Sequence, residues 1–214
     1  MQAIKAVLFD FGNVLGFFDH RKACDKLSAL TGMRVLGEEI VKSLFAPDGL
    51  ATMLERGRID KRTFMRSVCQ ELDILPFDNI EEFEELWGDI FTDAGMSATL
   101  SRIKPFVKLG VLSNTDPIHW KYIQKLPVMT AHFNGSPFLT TSFEVKTRKP
   151  DEKMYMAATE KFWCGSWEVL FIDDLQANVD AAKSFGFHAK RFDARDMSPV
   201  ENLSDILSTY GLLT

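Results

Sequence analysis

Val7-Leu8-Phe9-Asp10-Phe11-Gly12-Asn13-Val14-Leu15 is a short apolar run that stops abruptly at a carboxylate and then turns through Gly12 and Asn13. The same form recurs further along the chain. Leu109 to Leu112, interrupted by Gly110, runs into Ser113-Asn114-Thr115, and Val169 to Ile172 runs into Asp173-Asp174. Each run is rich in Val, Leu, Ile or Phe and is followed by a segment with helical spacing, the pattern of parallel strands buried on both faces. Such βα repetition predicts an α/β fold built on a doubly wound parallel sheet. Ligands of open α/β sheets sit at the carboxyl ends of the strands. The polar ends of the runs are therefore expected to meet in one place.

The residues expected there suit phosphoryl transfer. Asp10 is the candidate nucleophile, since aspartate carboxylates form covalent intermediates in phosphotransfer. Asp173 and Asp174 are adjacent carboxylates that need a cation to offset their repulsion. Mg²⁺ fits, because it prefers hard oxygen ligands and is held by one or two carboxylates plus substrate phosphate oxygens. Ser113 and Asn114 offer a hydroxyl, an amide and backbone N–H groups to phosphate oxygens. Lys149, in the turn Arg148-Lys149-Pro150, adds a point charge with three donors. Read singly, each has a plainer explanation: a strand-terminal Asp caps a helix, and a Lys-Pro lies on the surface. Their order and spacing together favour a shared site.

Asp10-Phe-Gly-Asn-Val-Leu, Leu112-Ser113-Asn114, Lys149-Pro150 and Phe171-Ile-Asp173-Asp174 followed by Asn178 resemble the ordered motifs of the haloacid dehalogenase superfamily, over about residues 4 to 192. The resemblance implies a Rossmann-like core with an inserted helical cap and an aspartyl-phosphate mechanism. Asp10 would attack, while Ser113 and Lys149 would hold the phosphoryl group. Mg²⁺ would be bound by Asp10, the backbone carbonyl of Gly12 and Asp174, with Asp173 acting through water or as the direct ligand instead. Asn13, Asn114 and Asn178 fall to substrate binding, and the Asn178 amide can also orient the aspartates or Lys149. The first motif looks like that of the subgroup containing sugar-1-phosphate phosphatases and the phosphatase domains of soluble epoxide hydrolases. The implied activity is Mg²⁺-dependent hydrolysis of small phosphorylated metabolites, with sugar phosphates expected.

The chain departs from the family's phosphatase pattern at Gly12. Most phosphatases of the superfamily carry a second Asp there, which protonates the leaving group and activates water. Dehalogenases carry Gly at this position and run without metal, whereas the Asp173-Asp174 pair argues for metal. A 2-haloacid dehalogenase-like hydrolase and a weakly active or non-catalytic binding protein are the alternatives. Asp19 and His20 lie just beyond and are candidate acid/base groups, although Asp19 also suits an N-cap for a helix beginning near Arg21.

At 214 residues the chain suits a single α/β core with an insertion. A hydrophobic content of 46% and a charged content of 26% are those of a globular protein in water. The formal charge of −5 argues against a nucleic-acid partner, which would call for a basic stripe. Cys24, Cys69 and Cys164 are widely spaced and unsuited to metal pairing, so they read as reduced thiols of a cytoplasmic protein. No run approaches membrane-spanning length.

The expected division is a core of residues 1–16 and 93–214 and a cap of residues 17–92, helical throughout. Within the cap, Asp60 is the expected N-cap of a helix over Lys61 to Leu72, and Asn79 begins another. That second helix sets Phe83, Leu86, Trp87 and Ile90 on one face, with Glu81, Glu82, Glu84 and Glu85 largely on a solvated one. A helix to Lys104, a strand over Phe106–Leu112 and a helix from Asp116-Pro117 are expected next. Short strands near Phe138–Thr140 and at His188–Phe192 complete the alternation, with helices to Phe162 and from Gln176 to Phe185. Phe17, Phe18 and Trp120 are expected near the pocket, and His119 on a helix surface.

Overall fold

The computed structural model describes residues 3–193 and 198–214; positions 1–2 and 194–197, within the expected core range, lie outside the described residues. The chain opens with β1 (Ala6–Phe9), which runs through the Asp10–Leu15 turn into β2 (Gly16–Phe18). Five helices follow: α1 (His20–Leu30), α2 (Gly37–Leu44), α3 (Leu50–Glu55), α4 (Lys61–Leu72) and α5 (Ile80–Gly88). β3 (Phe91–Asp93) then leads to α6 (Ser97–Leu100), β4 (Lys108–Ser113), α7 (Pro117–Ile123), α8 (Pro127–His132) and β5 (Leu139–Thr141). The remainder is α9 (Ser142–Val145), α10 (Glu152–Phe162), β6 (Val169–Asp173), α11 (Gln176–Phe185), β7 (His188–Arg191) and α12 (Pro199–Thr209).

The main sheet has five strands in the order β5-β4-β1-β6-β7, all parallel. This is the doubly wound sheet expected from the three apolar runs. Its central strand is buried on both faces. Val7 and Phe9 pack with Val111, Ile172, Phe133 and Leu203 on one side, while Ala6 and Leu8 pack with Leu112, Tyr155, Phe162 and Phe171 on the other. Gly110 interrupts the apolar run because a Cβ there would stand 2.5 Å from both the Phe138 carbonyl and the Phe162 ring. A glycine inside a strand marks such a close approach.

Helices α1 to α5 form the cap, with its own apolar cluster of Leu27, Leu54, Phe64, Val68, Phe83 and Trp87. Asp60 caps α4 by accepting from Thr63 N, and Asn79 caps α5 by accepting from Glu82 N. Both helix starts were legible because a short polar side chain satisfies an otherwise orphaned N–H.

The expected helical run over 17–92 is corrected at both ends. β2 and β3 pair antiparallel, Gly16 opposite Asp93 and Phe18 opposite Phe91, at the junction of core and cap. Neither strand shows alternation long enough to register as a period. Glu84 is corrected too: it is buried beneath Lys61 of α4 and Lys121 of α7, whose Nζ lies 2.6 Å away, so it ties cap to core. The helix expected to reach Lys104 ends at Leu100, and β4 starts at Lys108 because residues 104–107 form a turn closed by Val107 N to Lys104 O. Helices α8, α9 and α12 add to the alternation read from the sequence. Among the described residues, no helix is long and apolar enough to cross a membrane.

Candidate active site

Parallel register brings the motif ends together. Phe9 stands opposite Val111 on one side and Ile172 on the other, so Asp10, Ser113 and Asp173 emerge at the same edge of the sheet. Asp10 and Ser113 open into a cavity of about 210 Å³ between core and cap, while Asp173 stays buried behind it. Asp10, Gly12, Asn13, Ser113, Asn114, Lys149, Asp174 and Asn178 line it, along with Phe18, His20, Phe45, Glu55, Phe91, His119 and Arg148.

Lys149 is the hub. Its Nζ lies 2.8 Å from Asp10 Oδ1 and 2.7 Å from Asp173 Oδ2. Burial alone would lower the ammonium's pKa, but the two carboxylates outweigh it and hold the group charged above its ordinary value. Asp10 Oδ1 also accepts from Phe11 N at 2.7 Å, which leaves Oδ2 without a hydrogen-bond partner among the described residues. That free oxygen is suited to attack. Burial pushes the Asp10 carboxyl up, Lys149 opposes the shift, and Asp173 adds to it.

The asparagines act on these groups. Asn178 Nδ2 donates to both oxygens of Asp173, at 3.0 and 3.1 Å. Asn13 Nδ2 donates to Asp174 Oδ2 at 2.9 Å. Asn114 grips the Lys149 main chain, accepting from its N–H at 2.8 Å and donating to its carbonyl at 3.1 Å. All three thus tie acidic side chains or the Lys149 main chain in place while lining the cavity, and among the described residues the Oδ1 atoms of Asn13 and Asn178 carry no hydrogen bond.

The donor set fits a hard divalent cation. Asp10, Asp173 and Asp174 each offer a carboxylate oxygen, and these oxygens lie within 4.8 Å of one another. Three carboxylates against one ammonium leave a negative excess in a buried place, which a dication offsets. The two aspartates of the third motif are not equivalent. Asp173 is fully buried and its oxygens are taken by Lys149, Asn178 and Leu175 N. Asp174 keeps one oxygen free of hydrogen bonds among the described residues.

Asp19 and His20 separate sharply. Asp19 is exposed, caps α1 by accepting from Arg21 N, and does not line the cavity. His20 lines it, but burial and the neighbouring His119 charge push its imidazole down to about 3. It is neutral at physiological pH and has no proton of useful acidity. Phe18 explains the rest of this wall: a Cβ at position 12 would stand 2.8 Å from its ring carbon Cε1. The aromatic ring fills the space where an acidic side chain at position 12 would start.

Two expectations about aromatics and His119 are corrected. Trp120 packs in the core, and Phe17 flanks not the cavity itself but an adjoining groove that shares Asn13 and Asp174 with it. His119 is buried, not a surface residue. Its Nδ1 lies 2.7 Å from Asp116 Oδ2, and its Nε2 lies 3.1 Å from the Trp87 carbonyl. Both partners accept only, so both ring nitrogens donate and the ring is an imidazolium. Burial opposes this charge, but Asp116 more than offsets it; the Asp116 carboxyl is correspondingly held low despite its burial. The periodicity of one short helix could not show that its histidine faces a buried carboxylate. The stabilisation is complete below the ordinary histidine range and fades as pH rises through His119's raised value. It is also lost as pH falls through Asp116's lowered value. His119→Ala should strand the Asp116 charge and cost about 3–5 kcal/mol, a fall in Tm of roughly 10 °C. A melting curve unchanged at pH 6 would remove the pair from the fold's stability.

Sequence reasoning missed Glu55, Phe45 and Phe91 as cavity residues. Glu55 had no signal, since it sits beside the Arg56-Gly57-Arg58 turn in a charged stretch. Arg148 was visible only as the neighbour of Lys149.

This geometry sets a strand-terminal aspartate beside a buried lysine and an acidic pair at one edge of a parallel α/β sheet. The model of the haloacid dehalogenase-like hydrolases matches residues 4–186, and the chain belongs to that family. Among curated proteins no match is found. A HAD family enzyme from Bacteroides thetaiotaomicron, solved with magnesium and inorganic phosphate, is 23% identical with a TM-score of 0.76, over 90% of this chain and 96% of that one. A predicted HAD-like family hydrolase from Porphyromonas gingivalis is 20% identical over 97% of this chain and 98% of that one, with a TM-score of 0.74. The L-2-haloacid dehalogenase of Xanthobacter autotrophicus, solved with chloropropionic acid covalently bound, is 18% identical over 99% of this chain and 85% of that one, with a TM-score of 0.59. At these identities the likeness is one of fold.

Proposed function

We propose that this hydrolase is a Mg²⁺-dependent phosphatase of small phosphorylated metabolites, sugar phosphates among them, working through an aspartyl-phosphate on Asp10. The observation that carries it is the cluster of Asp10, Asp173 and Asp174 oxygens within 4.8 Å, with Lys149 bridging Asp10 and Asp173. A buried acidic cluster of this kind has no use in displacing halide but suits a phosphate dianion with its cation. The Bacteroides relative solved with magnesium and inorganic phosphate agrees with this chemistry.

In this reading Asp10 Oδ2 attacks phosphorus and the bond to the leaving oxygen breaks. Lys149 and Ser113 hold the phosphoryl oxygens, and water then attacks the acyl phosphate to release inorganic phosphate and restore the carboxylate. Mg²⁺, when bound, would neutralise the phosphoryl charge, held by Asp10, Asp174 and the Gly12 carbonyl. Asp173, saturated by Lys149 and Asn178, positions the lysine instead. The cap of residues 17–92 would close over residues 1–16 and 93–214 and exclude bulk water.

A panel of phosphorylated metabolites assayed with Mg²⁺ and with EDTA tests the reading. Metal-dependent phosphate release supports it; halide release from 2-chloropropionate in EDTA would replace it with the dehalogenase alternative. Asp174→Ala should raise the Mg²⁺ concentration for half-maximal activity by about 10–100-fold or more. An unchanged metal titration would take Asp174 out of the cation site.

A further inference from the structure

The cavity wall contributed by the cap has a property that the phosphoryl-transfer groups do not need. Glu55 of α3 reaches across the cap–core seam to Arg148, with Oε2 3.1 Å from Nε. The contact is an ion pair without the alignment of a hydrogen bond, and both atoms are buried. Among the described residues, Glu55 Oε1 and the two terminal amino groups of Arg148 have no partner. Glu55 and Arg148 line the same cavity as Lys149 and Ser113, so a group joined to a phosphoryl held there would share it with this pair.

Charge on this wall is balanced residue by residue. Glu55 offsets Arg148, Asp116 offsets His119, and His20 is neutral. An anionic leaving group would have to capture Arg148 and leave Glu55 buried without a counter-charge, which is costly, whereas a cationic one would have to take Glu55 from the half-buried Arg148. A hydroxyl both donates and accepts. It can take a hydrogen bond from the guanidinium and give one to the carboxylate while the pair stays together. Phe18, Phe45 and Phe91 line the same cavity and offer apolar faces to the C–H edges of a ring.

We propose that Glu55 and Arg148 form the leaving-group subsite and select an uncharged polyhydroxylated group over one bearing a carboxylate, a second phosphate or an ammonium. This rests on the phosphatase reading and names its substrate class. The residues act in specificity and take no part in bond breaking.

The test is equilibrium binding by calorimetry, with Mg²⁺ present, to the Asp10→Asn protein, in which turnover is expected to be at least about a thousandfold slower. Three probes are compared: a hexose 1-phosphate, phosphoglycolate and phosphoethanolamine. The hexose ester should bind tightest. Adding Glu55→Gln, which is isosteric, frees Arg148 and should raise the affinity ratio of phosphoglycolate to hexose ester by roughly tenfold or more, the worth of a charged hydrogen bond. Arg148→Gln should raise the phosphoethanolamine ratio in the same sense. Ratios taken within each variant cancel any general weakening. The proposal falls if Glu55→Gln leaves the ratio within about twofold of its starting value, well below a charged hydrogen bond. It falls equally if the Asp10→Asn protein with Glu55 and Arg148 intact binds phosphoglycolate more tightly than the hexose ester. Failure of the phosphatase reading would show separately, as no hydrolysis of acetyl phosphate by the unmodified protein with Mg²⁺.

Discussion

Asp10→Asn is expected to lower kcat by at least about a thousandfold, the scale seen when a covalent nucleophile is removed. The amide matches the carboxylate in size, so Phe11 N and Lys149 Nζ can still donate to its oxygen at position 10. What is lost is the anionic oxygen that would form the acyl phosphate. Stability should move the other way. Burial raises the Asp10 carboxyl above its unfolded value, so ionisation at that site costs folding free energy at neutral pH. Replacing the charge with a neutral amide should leave Tm in EDTA unchanged or higher. The assay is phosphate release alongside a melting curve. Retention of more than about a tenth of the activity, a barrier change near 1.4 kcal/mol, would sink the nucleophile assignment.

Gly12 predicts a steep dependence of kcat/KM on leaving-group pKa. General acid catalysis contributes about 10²–10⁴-fold, and the protonated imidazole that lines the cavity, His119, has both its N–H groups committed to Asp116 and the Trp87 carbonyl. Asp19 is outside the cavity, and His20 is neutral with its imidazole pushed down to about 3. Leaving groups stable as anions, such as acyl, aryl and anomeric sugar-1-phosphates, should therefore outrun alkoxides such as sugar-6-phosphates by about a hundredfold or more. Gly12→Asp alone meets the Phe18 ring at 2.8 Å, but this is the far edge of a partly exposed side chain that can swing away. Gly12→Asp with Phe18→Ala should flatten the slope further by making room for the new carboxylate. A flat series in the unmodified protein would mean that an acid is present. His20→Ala would then be the first variant to measure.

The fold was legible because its signals are local. A parallel strand buried on both faces must be apolar at every position, and the helix caps at Asp60, Asn79 and Asp116 each satisfy backbone donors within three residues. The short strands β2 and β3 escaped because three residues carry no period, and Glu84 escaped because its cations come from another helix and from the core.

The sequence by itself determined the doubly wound sheet, the helical insertion and the coming together of Asp10, Ser113, Lys149 and Asp173-Asp174 at one sheet edge. In a parallel sheet the carboxyl ends of the strands lie along one edge, so residues at the ends of the apolar runs had to meet there. Only the tertiary structure decided how the polar groups divide their bonds. Asp173 is spent on Lys149 and Asn178 while Asp174 keeps an oxygen free, and His119 is an imidazolium locked on Asp116. Phe18 stands over Gly12, and Glu55 meets Arg148 across the seam. Each of these depends on side chains distant in the chain competing for the same few buried donors and acceptors, which no local pattern records.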